Sequence, residues 1–76
     1  MDWRALLTSD ADTLHGQVRI AGTRVPVSVV LDNLAAGMSE AEILRQYPTL
    51  THEAIRACLA YAAELAREEI LPLTGT

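Results

Sequence analysis

The spacing of apolar positions changes once along this chain. Up to residue 21 it is short and strand-like. Val18-Arg19-Ile20 alternates apolar and charged side chains, the period of an exposed strand. Leu6-Leu7-Thr8 suits a short strand or a turn of helix. Ser9-Asp10-Ala11-Asp12 and His15-Gly16 are turn-forming. From Val27 onward the period is helical. Val27, Val30, Leu31 and Leu34 fall at i, i+3, i+4 and i+7, which predicts a helix over 27–36 ended by Gly37. Ser39-Glu40-Ala41-Glu42 is a capping box opening a short second helix. That helix ends near Tyr47, because Pro48 follows, and its buried side is Ile43, Leu44 and Tyr47. Thr49 or Thr51 caps a third helix over 52–70, with Ile55, Cys58, Leu59, Ala62 and Leu65 (or Ala66) on one face. Ala57, Ala60, Tyr61 and Ala63 widen its apolar coverage. Coverage that wide predicts burial on two sides, one against the first two helices and one against a second subunit.

The change of period falls at Gly22-Thr23-Arg24-Val25-Pro26-Val27. Gly22 permits a positive φ, and Pro26 fixes φ and suits the first turn of a helix. The segment reads as a strand-to-helix corner. Arg24 on that corner has two readings. It pairs with a carboxylate such as Asp32, or bonds turn carbonyls, and so fixes the bend; or it is presented to a partner, with Arg19 beside it.

Composition narrows the class. Seventy-six residues make one domain, and half of them are hydrophobic. A chain so small and apolar is expected to bury part of its surface against a copy of itself or a partner. Its single cysteine, Cys58, forms no internal disulfide. The opening Met1-Asp2-Trp3-Arg4-Ala5 does not resemble a secretory signal, and no apolar run reaches the ~20 residues of a membrane span, so a soluble, cytoplasmic protein is expected. The net charge of −4 argues against broad affinity for nucleic acid, although a local basic face on a dimer remains compatible with DNA. All six basic residues are arginine, the better bidentate partner for carboxylate or phosphate.

The second and third helices, joined by Tyr47-Pro48-Thr49-Leu50-Thr51, read as a helix-turn-helix with Leu50 plugging the core beneath the turn. In that arrangement Thr51, His52 and Arg56 would face DNA: Arg56 toward guanine, Thr51 or His52 toward phosphate. Glu53 would repel phosphate; the plainer reading is a solvated surface on which Glu53 and Arg56 pair at i, i+3. His15, His52 and Cys58 lack the spacing of a metal site. Nucleophile–base arrangements and glycine-rich phosphate loops are absent from the sequence, so neither an enzyme nor a cofactor, nor a small-molecule substrate, is expected.

The line His15-Gly16-Gln17-Val18-Arg19-Ile20-Ala21-Gly22-Thr23-Arg24-Val25-Pro26-Val27 resembles the hallmark of the family called domain of unknown function 433. The resemblance continues through Leu34-Ala35-Ala36-Gly37-Met38-Ser39-Glu40-Ala41-Glu42-Ile43-Leu44 and Tyr47-Pro48-Thr49-Leu50-Thr51, covering roughly residues 8–65. It departs at Gln17 and Val18, where that family usually has a basic residue and a proline. The resemblance implies a mostly α, small α+β fold: a short N-terminal β element, then a homeodomain-like three-helix bundle containing a helix-turn-helix. It also implies an antitoxin-like role in a type II toxin–antitoxin pair. Such a protein binds a PIN-like toxin, forms a homodimer and in some cases represses its own promoter by binding operator DNA. A stand-alone dimeric DNA-binding regulator, or an interaction module with no DNA role, are the alternatives. The expected organisation is a β and dimerisation segment over 1–26, a helical bundle over 27–70 and a loose tail over 71–76. Val18, Ile20, Tyr61 and Leu65 are the expected dimer contacts, and Arg19 and Arg24 the candidate partner-binding or structural residues.

Overall fold

A computed structural model of the protein describes residues 2–9 and 17–68. Trp3–Leu6 form one turn of 3-10 helix, capped by Asp2, whose carboxylate accepts from the Arg4 N–H at 3.2 Å. Strand β1 (Leu7–Ser9) follows and pairs antiparallel with β2 (Val18–Ile20), Leu7 opposite Ile20 and Ser9 opposite Val18. Leu6-Leu7-Thr8 therefore divides between helix turn and strand. Three helices complete the fold: α1 (Val27–Ala35), α2 (Glu40–Gln46) and α3 (His52–Glu68). The turns expected around Asp10–Asp12 and His15-Gly16, the helix end near Ile70 and the tail over 71–76 lie outside the described residues.

The corner between β2 and α1 is closed by backbone and by one hydroxyl. Thr23 N–H donates to Ile20 O at 3.1 Å with Gly22 at φ 77°, as at the third position of a type II turn. Ile20 N–H donates to Val25 O at 2.9 Å, and Pro26 bridges Arg19. The Thr23 hydroxyl donates to Ile20 O at 2.8 Å and accepts from Val25 N–H at 3.1 Å. Pro26 is the N-cap of α1 at φ −68° and ψ 147°, one residue before the first turn.

Each helix boundary has a local cause. α1 ends in a Schellman motif: Gly37 at φ 97°, its N–H on Leu34 O, and Met38 N–H on Asn33 O, each at 3.0 Å. Ser39 and Glu42 form the capping box of α2, with Glu42 N–H to Ser39 Oγ at 3.2 Å and Ser39 N–H to Glu42 Oε1 at 3.1 Å. Tyr47 leaves helical backbone ahead of Pro48. Thr51, rather than Thr49, caps α3, its Oγ1 accepting from Ala54 N–H at 3.1 Å.

The core gathers Ile20, Val27, Val30, Ile43, Leu50, Ala54, Ile55 and Cys58, with no buried charged or polar residue among the described ones. Leu50 plugs the turn between α2 and α3 as expected. One expectation for α3 is corrected. Its core side is turned toward Ala54 and Ala57, so Leu59 stays 44% exposed. The chain's own 3-10 turn also packs on α3, with Trp3 edge-on to Tyr61 (ring centroids 6.3 Å apart), a neighbour the sequence reading did not name. A single helical stripe cannot reveal that a local N-terminal turn supplies the second neighbour.

Ile43 has no exposed surface. Ile43→Ala is expected to cost about 2–5 kcal/mol, most of the stability of a domain this small. Thr23→Val keeps the shape of the corner but removes both hydroxyl bonds, at an expected cost of about 1–3 kcal/mol. Urea unfolding followed by circular dichroism checks both.

Candidate functional site

Three surfaces carry the candidate residues. The first is apolar. Ala54, Cys58, Tyr61 and Leu65 follow one another on α3 at helical spacing. The first two are buried, Tyr61 is half-buried, and Leu65 is 43% exposed, because the stripe runs past the level that α1 and the sheet cover. Two shallow clefts meet at Val18 and Tyr61: one continues to Trp3 and Leu7, the other to Leu31 and Leu65. Arg4 lies over the Trp3 ring, 4.4 Å from its centroid, at the outer rim of the first. Three of the four expected dimer contacts, Val18, Tyr61 and Leu65, are thus neighbours. Ile20 is not among them. It shares a strand face with Val18 but sits at the end that α1 covers, 3% exposed, inside the core. Trp3 and Leu7 were not singled out by sequence; that the chain holds only three aromatic residues was the available signal.

The second surface is the outer side of the corner, where a cleft is lined, among the described residues, by Gln17, Arg19, Gly22, Thr23 and Arg24. Arg19 is half-buried and engaged within the chain. Arg24 is exposed and has no hydrogen bond or ion pair among the described residues. Of the two readings of Arg24, the structural one finds no bond to carry it: among the described residues it pairs with no carboxylate, Asp32 being exposed on α1, and it holds no turn carbonyl. The Thr23 hydroxyl performs that task with a shorter side chain and less entropy lost.

The third surface is the start of α3. Thr51 uses its hydroxyl as the helix cap, and His52 Nδ1 sits 3.2 Å from Glu40 Oε1, tying the first turns of α3 and α2 together. Arg56 is exposed, and the pair expected between it and Glu53 is not formed. Glu40, Glu42 and Glu53 outnumber Arg45 and Arg56 here. The bonds from the Ser39 backbone and then the Ser39 hydroxyl hold the Glu42 carboxyl below its ordinary range, with a smaller contribution from Arg45, so it stays ionised at neutral pH. No three His, Cys, Asp or Glu side chains gather as a metal cluster among the described residues, and His15 lies outside them. No helix among the described residues is long and apolar enough to cross a membrane.

A two-stranded sheet strapped to three helices, with an apolar seam and a separate cationic corner, defines a small α+β domain. The family described as "Protein of unknown function (DUF433)" matches residues 7–62, and the chain belongs to that family. It is similar to "Uncharacterized protein y4eO" of Sinorhizobium fredii (strain NBRC 101917 / NGR234), 42% identical over 72 residues, which are 95% of this chain and 30% of that protein. The chain thus spans less than a third of the length of that relative. No solved structure matches it.

Cys58 has no exposed surface, and burial pushes its thiol from near 9 up to about 11. The pKa is raised in the folded state. The stability held by the neutral thiol is therefore full below about pH 9 and is lost as pH rises through about 11. Urea midpoints of the wild type are expected to fall more steeply across that window than those of Cys58→Ala. In the native protein at neutral pH, Cys58 is expected to react with a thiol reagent only as fast as the domain opens.

Proposed function

We propose that this domain is an antitoxin-like, cytoplasmic homodimer that binds and silences a PIN-like toxin, with repression of its own promoter as a secondary role. One observation carries the binding reading: the apolar stripe of α3 ends in the exposed Leu65, which lines one cleft with the half-buried Val18, Leu31 and Tyr61. Half of this small chain is hydrophobic, and contact with a second copy would remove the remaining apolar surface from water. Family resemblance supports the toxin-directed part. The DNA-directed part stands on Arg56 and on the α2–turn–α3 arrangement. It stands second because Thr51 and His52 already have partners within the fold and the surrounding charge is acidic.

Leu65 is 43% exposed, so Leu65→Glu changes the seam with little effect on the core. Sedimentation equilibrium is expected to show a dimer for the wild type and a monomer for Leu65→Glu with unchanged helicity; a monomeric wild type overturns the dimer reading. Co-expression with the product of an adjacent gene, followed by a nuclease assay, tests silencing: capture with loss of nuclease activity is expected, and an unaffected nuclease defeats it. Repression is tested with the upstream DNA. Specific binding that falls steeply between 50 and 200 mM salt is expected of several phosphate contacts, and absence of binding at the lower salt removes the repressor role.

A further inference from the structure

We draw no further inference here: the strongest candidate, the shallow aromatic cleft that Trp3, Leu7, Val18 and Tyr61 line between the 3-10 turn, the sheet and α3, runs at Val18 and Tyr61 into the seam already described, and nothing in the structure shows what covers it.

Discussion

The Thr23 hydroxyl is small, but much of this fold depends on where it sits. It donates to Ile20 O and accepts from Val25 N–H, locking the turn that takes the chain from the sheet to α1. With that turn closed, Ile20 and Val27 enter the same core from two sides, and Arg24 between them is directed outward. Two paired strands of three residues each are too short to persist alone. They are held because Ile20, at the end of one of them, is buried among α1 and its neighbours. An unmade bond at this corner would therefore loosen the sheet and the first helix together, unlike the loss of an exposed ion pair.

The same economy of length appears at the helix ends. α2 has seven residues, below the length at which a helix holds in isolation. It persists because the Schellman turn at Gly37 delivers the chain into the Ser39–Glu42 capping box, while Ile43 is fully buried against the rest of the core. α3 is the long element, and its length has a consequence. A stripe set by helical spacing continues for as long as the helix does, whereas α1 and the sheet cover only part of it. Leu65 is exposed by that mismatch, and the seam around Val18 and Tyr61 follows from it.

Boundaries governed by local chemistry were legible in the sequence: Gly37 as a left-handed stop, the capping box, Pro48 after Tyr47 and the buried side of α2. Position-specific signals of that kind act within a few residues and do not depend on tertiary context. What the sequence left illegible is packing between distant segments. The Trp3–Leu6 turn covers part of α3, which no periodicity within α3 encodes, and α1 takes Ile20 out of the surface that its strand partner Val18 still lines. For the candidate site, sequence identified Arg24 on a bend but left its role open between structure and recognition. The structural role fell to Thr23 because a hydroxyl reaches a carbonyl and an amide one turn apart, while the longer guanidinium would lose more rotamer freedom to do the same.

Charge and apolar surface are distributed so that the possible contacts do not compete. The seam at Tyr61 and Leu65 is suited to association by burial, which is non-directional. The Arg24 corner is suited to a directional, charge-assisted contact, whose strength depends on how far the partner excludes water. The acidic start of α3 would act against unselective nucleic-acid binding, because Glu53 shares the first turns of α3 with the exposed Arg56 and Glu40 is held beside His52. Repulsion of that kind sets specificity as much as attraction does, since discrimination between partners is a difference of two affinities.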